Sequence, residues 1–184
     1  MVRPRTYWFA LDTFRRLSDL GLFVGSSSSS ELAGHMPADY LKKMGAVQRR
    51  ALHLALRGSV KHQQYRVELA DRYDHLLASR GIPTFSRVSS AIPLRYPVVV
   101  PDRDALLDAA RGAHVELGDW FNCPLHPQGA DLAGLNWDDR VCPEAVRLAS
   151  TTVNLPVHKR ISGQVAEETV NFVAEWSNAR ETRK

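Results

Sequence analysis

The sequence predicts an α+β fold, a long helix followed by a small sheet covered by helices. Three observations carry this expectation. Apolar residues recur near 3.6-residue spacing from Ala38 to Ser79, short β-branched runs follow, and helix-starting residues alternate with those runs.

The elements follow in order. Pro4 to Phe23 reads as an amphipathic helical segment, with Trp8, Phe9, Leu11, Phe14, Leu17 and Leu20 near helical spacing, and its apolar face needs a partner. Gly25 and the serine run Ser26 to Ser30 then read as a flexible linker, because serines compete with helix hydrogen bonds and bury nothing. The expected organisation is a helical segment at 1–24, a Ser-rich linker at 25–36, one folded domain at 37–178 and a polar tail at 179–184.

In the long helix, Leu41, Met44, Val47, Ala51, Leu54 and Ala55 share a spacing that resumes at Val67, Ala70, Tyr73 and Leu77. Asp39 suits the positive end of the helix dipole. Gly58-Ser59 predicts a kink or break, since a mid-helix glycine costs about 1 kcal/mol relative to alanine. Gly81-Ile82-Pro83 supplies the stop. Tyr96 to Val100 predicts a strand, and Pro97 assigns it to an edge or a strand beginning. Asp102 caps a helix carrying Leu106, Leu107 and Ala110 and ending at Gly112. Val115 to Leu117 reads as a short strand, and Pro143 opens a helix through Ala149. Ser162 caps a last helix on which Val165, Thr169, Phe172, Val173 and Trp176 share a face.

Composition narrows the class. A chain of 184 residues with 44% hydrophobic content supports one packed domain with an appendage. No apolar run approaches the roughly 20 residues of a membrane span. Tyr7 to Val24 comes nearest and is interrupted by Asp12, Arg15, Arg16 and Asp19. The expectation is a soluble cytoplasmic protein without a membrane partner. The excess of 24 basic over 20 acidic residues is small and reads as scattered, which argues against nucleic acid. Cys123 and Cys142 do not make a disulfide framework.

Three phrases recur in the second half: Leu94 to Asp104 (LRYPVVVPDRD), Asp119 to Pro127 (DWFNCPLHP) and Val153 to His158 (VNLPVH). Met44, Gln48, Arg72-Tyr73 and Cys142-Pro143-Glu144-Ala145 add to the ordered set. Together they resemble the C-terminal small domain of the DegT/DnrJ/StrS-type sugar aminotransferases, enzymes of fold type I that use pyridoxal phosphate on nucleotide-linked keto-sugars. The resemblance implies pyridoxal phosphate as cofactor and a homodimer or a separate cofactor domain as partner. It also places the loop of His126 near the mouth of the active site, and Trp120 and His126 are the candidate substrate-proximal residues.

Within that family the cofactor aldehyde joins a lysine, usually in a Ser-x-x-Lys turn of the large domain. The lysines here are Lys42, Lys43, Lys61, Lys159 and Lys184, and none stands in that context. Lys159 alone follows a predicted strand. The expectation is therefore a domain catalytically incomplete by itself, with no catalytic and no cofactor-binding residue of its own. The alternative is a non-enzymatic interaction module that docks through its N-terminal helix.

Plainer readings stand beside these candidates. His126 also reads as a histidine satisfied by loop carbonyls, and Trp120 and Phe121 as core or interface aromatics. Arg95 reads as a partner for an acid within the fold. Cys123, His126, Cys142 and His158 are four zinc-type donors, but their spacing is looser than that of a compact zinc motif, so no metal site is assigned. Asp138-Asp139 reads as a solvated loop pair. No dinucleotide fingerprint, phosphate loop or nucleophile elbow is present.

Overall fold

A computed structural model describes residues 4–20, 35–36, 40–88, 91–126 and 128–181. Its elements are α1 (Pro4–Asp19), α2 (Ala46–Arg57), α3 (Ser59–Ala78), β1 (Tyr96–Val99), α4 (Arg103–Gly112), α5 (Pro143–Thr151), β2 (Thr152–Leu155) and α6 (Gly163–Glu181). This is an α+β fold. The chain divides into one unit of Met1–Lys42 with Leu125–Cys142 and another of Lys43–Pro124 with Pro143–Lys184.

In the first unit α1 forms where its periodicity predicted, with Phe9 and Phe14 exposed on it and Leu20 exposed just after it. The rest of the expected segment, the serine linker and Asp39 lie outside the described residues. The described residues 128–142 are a chain of tight turns closed locally. The Gly134 N–H donates to Asp131 Oδ1 at 3.0 Å, and the Trp137 N–H donates to the Leu132 carbonyl at 2.9 Å. Asp138 and Asp139 are not simply solvated. Arg140 bridges Asp138 at 2.8 Å, and the Trp137 indole donates to Asp139 at 2.7 Å.

In the second unit the long helix begins later than its periodicity suggested. Met44 to Gly45 is irregular, and α2 starts at Ala46, where the Gln48 side chain accepts the Gly45 N–H at 2.8 Å. A glutamine able to satisfy that amide fixes the helix start there. The break falls at Gly58, separating α2 from α3. The stop also holds. Gly81 takes φ 69°, which a side chain rarely allows, and the Ile82 N–H reaches back to the Leu77 carbonyl at 3.0 Å.

β1 and β2 pair antiparallel, with Tyr96 opposite Leu155, Pro97 opposite Asn154, Val98 opposite Val153 and Val99 opposite Thr152. Val100 donates to the Thr151 carbonyl at 2.8 Å, so every second residue of β1 from Tyr96 carries the ladder bonds. Pro97 falls between them, where its missing N–H costs the ladder nothing. The expected strand at Val115 to Leu117 does not form. Instead Gly118 alone exchanges hydrogen bonds with Asn154, at 2.8 and 2.9 Å.

The core lies on one face of this sheet. Tyr96, Val98, Val153 and Leu155 meet Leu69, Tyr73 and Leu77 of α3, Leu106 of α4, and Ala166, Val170 and Val173 of α6. Asp102 accepts the Ala105 N–H at 3.1 Å and caps α4, and Ser162 accepts the Val165 N–H at 3.2 Å and caps α6, as the sequence predicted.

α2 is the exception to this packing, because none of its residues is buried. Val47, Ala51 and Leu54 align on one side, and Arg50, His53 and Arg57 align on another. From Tyr40 to Val67 the cations are Lys42, Lys43, Arg49, Arg50, Arg57, Lys61 and Arg66, with no Asp or Glu among them. The basic residues are therefore less scattered than whole-chain composition suggested.

Candidate functional site

The alternation of β1 separates Arg95, Pro97 and Val99 from the core-facing Tyr96, Val98 and Val100. On this second face the partner residues are Thr152 and Asn154. Asn154 is 1% exposed, a polar residue inside a strand buried throughout. Its amide donates to the Trp120 carbonyl at 2.9 Å, while its Oδ1 is buried with no partner. Gly118 crosses close above it, and a Cβ there would come within 3.4 Å of the Asn154 Cβ.

Trp120 is held above this face. The Arg95 guanidinium carbon lies 5.0 Å from its ring centroid, a cation–π arrangement. Arg95 Nε is buried without a partner, and no acid pairs the side chain among the described residues. The expected internal ion pair of Arg95 is therefore replaced by an aromatic contact. Trp120 itself is 52% exposed, which sets aside its reading as a core aromatic. Phe121 follows with φ 64°, an uncommon backbone state for a bulky residue. That turn carries both rings outward, with centroids 6.5 Å apart and nearly perpendicular planes.

Beside this cluster on the same sheet face, Pro97, Thr152, Phe121, Cys123, Ala145 and Leu148 line an apolar groove of about 350 Å³. His158, after β2, is engaged elsewhere, with its Nε2 2.9 Å from Glu116 Oε1. His126 is exposed in the other unit, and its ring makes no hydrogen bond among the described residues. It is thus not held by loop carbonyls there. Among the described residues no three His, Cys, Asp or Glu gather where they could hold a metal ion.

A Schiff-base lysine is activated by burial or a neighbouring cation, beside an acid for the pyridine nitrogen. Lys42, Lys43, Lys61 and Lys159 are all exposed, and Lys184 lies outside the described residues. The described lysines, all in solvent, do not fit pyridoxal phosphate.

Periodicity alone could have marked Arg95, since it sits one residue before a strand whose core face begins at Tyr96. Asn154 carried a similar signal as a lone amide within an apolar run. Glu116 had none, because its partner lies 42 residues away.

The model of the DegT/DnrJ/EryC1/StrS aminotransferase family matches residues 17–174. The chain belongs to that family. Neither a curated protein nor a solved structure matches it. No helix among the described residues is long and apolar enough to cross a membrane.

Proposed function

We propose that these residues are the C-terminal domain of a pyridoxal-phosphate-dependent nucleotide-sugar aminotransferase, incomplete in catalysis without a cofactor domain. The observation that carries this reading is family membership in a chain whose described lysines all lie in solvent. The exposed α2 supports it, because an amphipathic helix with no buried residue presents a face that a second domain or subunit would cover. In that assembly Trp120 and His126 lie close to substrate, pyridoxal phosphate is held by the partner, and the complex works in the cytoplasm.

A complementation assay tests this. The chain is mixed with the cofactor domain of a family aminotransferase that has been cut before its own C-terminal domain. Transamination only in the mixture is the expected result, and turnover by the chain alone would overturn the reading. A second reading, an interaction module docking through α1, draws on the exposure of Phe9, Phe14 and Leu20. Unaltered complementation after deletion of α1 would count against it.

A further inference from the structure

α2 carries two kinds of side chain that this fold leaves unsatisfied. Val47, Ala51 and Leu54, at i, i+4 and i+7, make one apolar stripe, and Val47 and Leu54 are 83% and 58% exposed. The neighbouring face holds Arg50 and Arg57, about two turns apart and both exposed. Elsewhere in the chain arginines meet acids. Arg80 pairs with Glu167, Arg87 with Asp74, Arg147 with Glu144 and Arg180 with Asp102. Along α2 no such neutralisation is at hand locally, because no Asp or Glu stands between Tyr40 and Val67. Arg49 Nη1 donates to the Met44 carbonyl at 3.0 Å, while Arg50 and Arg57 make no side-chain hydrogen bond or ion pair among the described residues.

The combination selects an occupant. An aliphatic stripe beside a row of cations matches a groove with an apolar floor and a carboxylate rim, the way an amphipathic helix lies in a partner protein. Nucleic acid would meet the cations and leave the stripe in water. A bilayer surface favours helices with Trp or Phe on the apolar face, and α2 has neither. His53 aside, the basic residues of α2 are all arginine, whose planar fork takes a carboxylate through two hydrogen bonds.

We infer that α2 docks in an apolar groove of the cofactor domain whose rim is lined by Asp and Glu. Val47, Ala51 and Leu54 lie on its floor, and Arg50 and Arg57 meet the acidic rim. This rests on the proposal that a cofactor domain completes the chain, and it adds the chemistry of the surface that receives it.

The test is calorimetric titration of the full chain with the cofactor domain of a family aminotransferase cut before its own C-terminal domain. Turnover is assayed separately in the same mixture. Binding should weaken about tenfold or more between roughly 50 mM and 500 mM NaCl, because salt screens the rim contacts. Arg50→Glu with Arg57→Glu should weaken it about tenfold or more at the lower salt. Arg50→Lys with Arg57→Lys keeps the charge and should keep most of the binding. Circular dichroism and the thermal midpoint of the free chain should be unchanged in both pairs. Carbodiimide labelling of the cofactor domain should show carboxylates protected by the chain, which locates the rim. The inference is overturned if the chain does not bind, if binding ignores salt and the Glu pair, or if no carboxylate is protected. A second copy as the occupant, read as an Arg50- and Arg57-dependent dimer of the chain alone in sedimentation, overturns it equally. So does binding through the same residues to phosphatidylcholine vesicles carrying about 30% phosphatidylserine. Salt- and charge-dependent binding without turnover removes the catalytic reading and keeps this one. Turnover that ignores salt and the Glu pair does the reverse.

Discussion

Tyr73 has no exposed surface, yet its hydroxyl must be paired, and it donates to the Pro156 carbonyl at 3.0 Å. Burial, then the charge of Glu116 and the neighbouring Tyr65, hold its phenol well above the ordinary tyrosine value. Tyr96 is raised in the same direction by burial and by its hydrogen bond to Asp74. An unfolded chain releases these protons near pH 10, while the folded chain keeps them. Stability is therefore fully present below about pH 10 and falls as pH rises beyond it. Tyr73→Phe should cost about 1–2 kcal/mol at pH 7, because it leaves the Pro156 carbonyl unpaired. It should also make the alkaline decline shallower. Urea unfolding at pH 7 and across pH 9.5–11.5 measures both effects, and an unchanged alkaline slope would remove Tyr73 from this role.

At the scale of elements, the cap of α4 and the break before α3 give separate tests. Asp102 is held below the usual carboxylate range by the Ala105 N–H and then by Arg180. A depressed value in the folded chain means a contribution present above about pH 4 and lost as pH falls through the lowered value. Asp102→Ala should lower the thermal midpoint by a few degrees at pH 7, whereas Asp102→Asn should keep most of the cap. Both should flatten the acid limb of the stability profile, and scanning calorimetry from pH 2.5 to 7 reads this directly. At the break, Gly58 sits at φ −102° and ψ 2°, which alanine also adopts, and an added Cβ would come 3.3 Å from the His62 ring. Gly58→Ala should gain about 0.5 kcal/mol and some helicity by circular dichroism once the ring moves aside. A loss would mean the His62 ring cannot yield.

Across the whole molecule, the buried core and the exposed α2 behave as different kinds of surface. Val47 and Leu54 are exposed on α2, so Val47→Glu with Leu54→Glu should change the stability of the chain by less than about 0.5 kcal/mol. The same pair should reduce complementation by a cofactor domain severalfold. An undiminished assembly would show that α2 is not the docking face.

Much of this was legible in the sequence because local chemistry decides it. Pro97, Asp102, Gly58, Gly81 and Ser162 act on their own few neighbours, and each places a boundary or an edge where the structure has it. The start of α2 was missed because the apolar spacing runs on through residues that lie outside the helix, and the Gln48 side chain ends the ambiguity. The strand expected at Val115 to Leu117 does not form because one bridge at Gly118 suffices to dock that segment. Trp120 was named from the sequence, but Arg95 and Asn154 join it only through sheet pairing and a turn that no local pattern encodes.

We propose that this domain does not make the cofactor chemistry by itself. Titration of the purified chain with pyridoxal phosphate, followed by borohydride reduction and peptide mapping, decides this. The predicted result is scattered, unsaturable labelling of exposed lysines. A single stoichiometric adduct on one lysine, with Lys159 the first to inspect, would mean that the domain builds a cofactor site of its own.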